Sequence, residues 1–333
     1  MHDPSQPGPP SGDPAGGAYF PGPPPWQAPP GPRPWAAPVA PGTRYDHMAR
    51  TPVNRWWRPL VGTVVIAAAF VGVAVVVLLG GTIVAQLSGV PVLMDGGMFG
   101  DPVLELAVML LSIALVLPFV FGAAWLVQRR PPGTLSSVAG RLRWGWLLIC
   151  LVVALGAVIL GQVAMALTYA ATGEGVGELF GWVGWERFLP ALLVVVLLVP
   201  FQAATEEYVF RGWVLQGFGA YFRSPWPGIL LGAAMFTSLH AYTDWGIVDV
   251  FGFGVLMGWM AVRTGGLEAP IALHVVNNVV SFLPPAASGD LGDALRQGTV
   301  PWQAISGTVV QLGFFAVVTL IIAHKRAIQT VSR

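Results

Sequence analysis

From about residue 60 onward the chain alternates long apolar stretches with short polar breaks, and eight stretches stand out: 60–86, 103–128, 144–171, 189–220, 227–243, 247–263, 268–284 and 302–324. Crossing a hydrocarbon core of about 30 Å takes roughly 20 helical residues, and these stretches are of that order. The pattern predicts an all-α, polytopic membrane protein with about eight transmembrane helices. The predicted division is a Pro/Gly-rich tail over 1–55, a transmembrane helical domain over 56–326 and a short C-terminus over 327–333.

Composition agrees, with 55% hydrophobic and 10% charged residues among 333. The tail concentrates proline in runs such as Pro23-Pro24-Pro25, with few large aliphatics. Such a segment buries too little apolar surface to offset its ordering entropy, so disorder is expected there. No apolar stretch follows a basic start, so no cleavable signal is read, and the first span acts as an uncleaved anchor.

Charge sets the orientation, because short cytoplasmic loops are enriched in Lys and Arg. Of the seventeen Lys and Arg residues, all but Arg187 and Arg296 fall on one side of the proposed spans. Asp95, Asp101, Glu174, Glu178, Asp244, Asp249, Asp290 and Asp293 collect on the other. Both termini are therefore expected in the cytoplasm and the protein in the cell membrane. Tryptophans near the proposed helix ends, such as Trp57, Trp144 and Trp302, suit the water–lipid boundary. The net charge of +1 leaves no signal for nucleic acid as a partner. Membrane lipid is the partner that the composition implies, and the oligomeric state is left open. The single cysteine, Cys150, lies inside the third span, which excludes an intramolecular disulfide and fits a small packing residue.

Chemistry enters with the ionisable residues inside the apolar stretches, which are expensive in a bilayer and are usually paired and used. Glu206, Glu207 and Arg211 fall in the fourth span, His240 in the fifth, and His274, Asn277 and Asn278 in the seventh. Glu207 and Arg211 are four apart on one helix face, the favourable order for an ion pair. Glu206 points about 100° away, free to face a cavity. His274 and Asn278 also share a face. Counting residues from the helix ends at about 1.5 Å each puts Glu206 and His240 at a common depth, with His274 about 10 Å shallower. A carboxylate near a histidine can take a proton from water as it attacks a carbonyl, and imidazole and carboxamide N–H groups can stabilise the oxyanion that forms. This set suits amide hydrolysis without a covalent intermediate.

The segments Glu206-Glu207-x-x-x-Arg211, Phe236-x-x-x-His240 and His274-x-x-x-Asn278, in that order across successive spans over about 189–284, resemble the three motifs of the CPBP family. That family comprises the CAAX proteases and bacteriocin-processing proteins, also called Abi. The resemblance implies an eight-helix intramembrane glutamic endopeptidase acting on a membrane-associated or lipid-modified protein or peptide; no cofactor is expected, with zinc the alternative. By the same resemblance Glu206 would activate water held by His240. Glu207 and Arg211 would support the site, and His274 with Asn278 would form the oxyanion hole.

Three rival readings remain at the level of sequence. Glu206, His240 and His274 could supply a His₂Glu zinc set, although the His-Glu-x-x-His arrangement is missing. A proton-coupled transporter could use the same groups as a relay, but no internal repeat is visible. A non-catalytic bacteriocin immunity protein could retain the fold.

Overall fold

The computed structural model describes residues 35–93, 97–173 and 181–333. The proline runs before residue 35, and Asp95, Glu174 and Glu178 of the charge pattern, lie outside the described residues. The protein is helical, with α1 at Trp57–Leu87, α2 at Pro102–Val127, α3 at Trp144–Thr172 and α4 at Trp185–Gly219. There follow α5 at Trp226–Ser238, α6 at Trp245–Thr264, α7 at Glu268–Ser288 and α8 at Gln303–Lys325. All but α5 are long and apolar enough to cross a membrane, seven among the described residues, so the chain is a multi-pass membrane protein.

The fifth expected span, 227–243, becomes the 13-residue α5, about 20 Å long at 1.5 Å per residue. Its end has a local cause. The His240 ring nitrogen Nδ1 lies 2.8 Å from the Phe236 carbonyl, and the backbone N–H groups of Leu239 and His240 close tighter turns onto Phe236 and Thr237. The chain then enters β1, Tyr242–Asp244, which pairs in parallel with β2, Gly298–Val300, in the register Tyr242 to Gly298.

Helix α4 is the longest, at 35 residues. Pro190 and Pro200 interrupt its hydrogen-bond ladder, and Tyr208–Val214 forms a π-helical segment directly after Glu207. Such insertions recur at functional sites in helices. Five helices, α1 and α3 to α6, begin at a tryptophan. Helix α2 begins instead with Asp101, whose carboxylate accepts from the amides of Val103 at 2.8 Å and Leu104 at 3.3 Å.

In the bundle α3 packs on α7 and α8, α4 on α2 and α7, and α5 on α6. Helices α3 and α8 approach at Gly161 and Gly307, where a Cβ on Gly307 would come 2.8 Å from the Gly161 carbonyl oxygen. Small residues at such contacts let backbones approach where lipid supplies no hydrophobic drive for association. The main core joins α3, α4, α6 and α7 through residues such as Cys150, Phe210, Met257 and Leu273.

At one end of the bundle both described chain ends come together. The Gly42 amide donates to Ser332 O and the Ser332 amide to Thr43 O, each at 2.9 Å. Tyr45 is fully buried and its hydroxyl donates to Leu135 O at 2.6 Å, while Arg50 donates to Gly219 O and Phe222 O at the end of α4. The proline-rich composition predicts a disordered tail through residue 55, yet within 35–55 Tyr45, Asp46, Met48 and Ala49 are buried. The reason is its content of anchors: an aromatic ring, Met48, and Asp46 held by Arg44 and His47.

Candidate functional site

Within α4 the i, i+4 expectation is met: Arg211 Nη1 donates to Glu207 Oε1 at 2.9 Å, both side chains almost fully buried. Arg211 Nη2 donates to the Gly254 carbonyl at 3.3 Å, and its guanidinium carbon lies 4.5 Å from the Phe236 ring centroid. That contact explains Gly254, where a Cβ would come 3.0 Å from the Ala233 Cβ and 3.4 Å from Arg211 Nη2.

His274 reaches both acids. Its Nδ1 lies 2.8 Å from Glu207 Oε1, and its Nε2 lies 3.4 Å from Glu206 Oε2. Glu207 therefore receives Arg211 and His274 on one oxygen, while Glu206 stays 14% exposed at the side chain. The contact of Nδ1 with Glu207 turns Nε2 toward Glu206.

This differs from the expected depths, which left His274 shallower than Glu206. Helix α7 begins against the start of α3 and the segment after α8. Its first residue, Glu268, is fully buried and forked onto Arg143 at 2.7 and 2.8 Å, in a layer that includes the Thr264 and Gln329 carbonyls. Further along α7, His274 meets both acids.

His240 stands apart from the carboxylates and is paired with the Phe236 carbonyl. Since a carbonyl accepts, Nδ1 carries the hydrogen, which leaves Nε2 for a further partner. Phe236 contacts both imidazoles, with ring centroids 4.6 Å from His240 and 5.8 Å from His274. Tyr242 stacks on His240 itself, with ring centroids 6.2 Å apart.

Asn278 Nδ2 donates to Gln202 Oε1 at 3.0 Å, and Gln311 Nε2 donates to Asn277 Oδ1 at 3.0 Å. Gln202 and Gln311 are nearly buried, and the sequence reading passes over both. An uncharged amide barely disturbs an apolar run, so the only available signal was the spacing of Gln202, four residues before Glu206.

The fold and this cluster define a membrane-embedded helical protein with a carboxylate–imidazole site between α4 and α7. Residues 185–280 match the family model described as Type II CAAX prenyl endopeptidase Rce1-like, which bears out the resemblance drawn from the three motifs and contains all six of their polar residues. The chain is also 23% identical, over 193 residues, to the uncharacterised protein YyaK of Bacillus subtilis (strain 168). That match covers 56% of this chain and 63% of the relative. No solved structure matches.

Proposed function

We propose that the protein is an intramembrane endopeptidase in which Glu206 activates water for attack on a peptide bond. The observation that carries this reading is the juxtaposition of the partly exposed Glu206 with His274, itself held by the buried Glu207–Arg211 pair. In this reading Glu207 is a positioning residue that fixes the His274 ring, and Arg211 pairs with Glu207 in a site of low dielectric. Glu206 accepts the proton that leaves water and passes it to the amine that departs as the C–N bond breaks, with His274 beside it at 3.4 Å. His240 holds that water through Nε2. Asn278 donates an N–H to the oxyanion. His274 thus moves from the expected oxyanion hole to the side of the base, because its two nitrogens are turned to the two acids.

The donor geometry favours a carboxylate-activated water over zinc. Both His274 nitrogens face carboxylates, His240 is tied to the Phe236 carbonyl, and among the described residues no group of three or more His, Cys, Asp or Glu side chains is placed to hold a metal. No step is assigned to a metal.

The substrate in this reading is a membrane-associated or lipid-modified protein or peptide, approaching from the bilayer or the cytosol. The protein lies in the cell membrane with both ends cytosolic, a placement supported by the Lys and Arg distribution and by the pairing of residues 42–43 with 332. The test compares new protein termini in membranes of cells producing the wild type or Glu206→Gln. Termini that depend on Glu206, with both proteins equally inserted, are expected; identical termini in the two would sink the hydrolytic reading.

A further inference from the structure

Helices α4 and α7 carry their polar residues at matching intervals. On α4, Gln202 and Glu206 are four residues apart; on α7, Asn278 and His274 are four apart in the opposite direction. Each step is about one turn, or 6 Å along the axis. The contacts pair them as two rungs: Glu206 with His274, then Gln202 with Asn278. One turn further out the side chains are Leu198 and Phe282, both in an apolar cluster with Val195 and Val199. The polar ladder therefore ends at Gln202.

We propose that Gln202 is a positioning residue for the reaction, a role that rests on the hydrolytic reading of the site. A carboxamide offers two N–H groups on one nitrogen. The Gln202 oxygen takes one hydrogen of Asn278 Nδ2 and so selects which way round the Asn278 amide sits. The second hydrogen stays with the nitrogen, on the stretch of α7 that carries His274, and is the one available to an oxyanion. Without the acceptor, the Asn278 amide is free to rotate and to present its oxygen instead, which repels an oxyanion. A buried amide beside an apolar cluster is costly unless bonded. Gln202 lies at 5% exposure, so the two amides lose little by serving each other.

Two measurements on the full chain in nanodiscs test this. The first needs no substrate: with asparagine labelled in its side-chain nitrogen, NMR follows the two Asn278 amide protons, assigned by their loss in Asn278→Ala. One proton is expected downfield and slow to exchange. It should lose both properties in Gln202→Met and regain them in Gln202→Glu, which keeps an acceptor oxygen whether or not it is ionised but has no N–H. If Gln202→Glu behaves like Gln202→Met, the amides are paired the other way round and the proposal falls.

The second measurement uses a fluorogenic peptide spanning a Glu206-dependent cleavage site. Gln202→Met should lower kcat by about tenfold or more with KM within about twofold, less than the loss of about 10² expected for a direct oxyanion donor. In the Asn278→Ala background the same change should cost less than about twofold, because residues acting as one unit are not additive. Full additivity, or an unchanged kcat in Gln202→Met, would overturn the positioning role while leaving hydrolysis in place. A wild-type protein that cuts no better than Glu206→Gln would overturn the hydrolytic reading itself, and the positioning role with it.

Discussion

Helices α1 and α4 are both long and apolar, yet they meet their neighbours by opposite means. The buried positions of α1 are Gly62, Ile66, Val77, Gly81 and Ala85, and its closest approaches use glycine: Gly62 against the Trp213 ring and Gly81 against Val108. Helix α4 buries Gln202, Thr205, Glu207, Arg211 and Gln216 as well as apolar residues. Each of these five has a hydrogen bond: Gln202 to Asn278, Thr205 to Phe201 O, Glu207 to Arg211, and Gln216 to Thr134 O and Arg130. The contrast separates support from site. A helix that only packs can use small residues, since lipid and protein interior are equally apolar. A helix that carries polar groups into the same medium must find each a partner.

The contrast breaks most sharply at Glu206. Glu206→Gln should reduce peptide cleavage by at least about 10³-fold, as loss of an essential group does in hydrolases, with an unfolding midpoint close to wild type because Glu206 is partly exposed. A collapse of stability instead would make Glu206 part of the support.

Next in size are Glu207→Gln and Arg211→Ala. Each leaves a buried partner uncompensated and should cost about 3–5 kcal/mol, read as the shift in denaturant midpoint of protein in mixed micelles. If both variants kept full stability and only Glu207→Gln lost activity, the roles of the two acids would have to be exchanged.

On the other side of the comparison, Gly62→Leu drives a side chain into the Trp213 ring and should cost about 1–3 kcal/mol as overpacking does. Val76→Leu, on the exposed face of the same helix, should stay within about 0.5 kcal/mol. A large effect at Val76 would show that this face is covered.

The smallest expected effect lies at the packed segment 35–55. Burial lowers the His47 pKa from its ordinary value, opposed by Asp46 beside it. The folded value lies below the unfolded one, so this contribution is fully present above about pH 6.5 and is lost as pH falls through the folded value. The unfolding midpoint should therefore decline on mild acidification, and less so in His47→Gln; equal slopes would remove His47 from the account.

Much of this was legible in the sequence because it is local. Span length, the succession of helices and the Glu207–Arg211 pair follow from apolar run length and from the four-residue spacing of a helix. The resemblance over the three motifs was legible for the same reason, since each motif is one helical turn. The short α5 was not, because its end depends on a side-chain contact from His240 to Phe236 O rather than on polarity.

What the sequence by itself determined is that charged groups are carried into the membrane on α4 and that two of them neutralise each other. The tertiary structure decided the rest. Which groups meet is set by how the helices pack: the Arg143–Glu268 pair ties the start of α7 to the start of α3, and His274 meets both acids. The amide partners Gln202 and Asn278 lie 76 residues apart, and they meet because antiparallel helices bring one-turn spacings into register. No periodicity within either helix encodes that meeting.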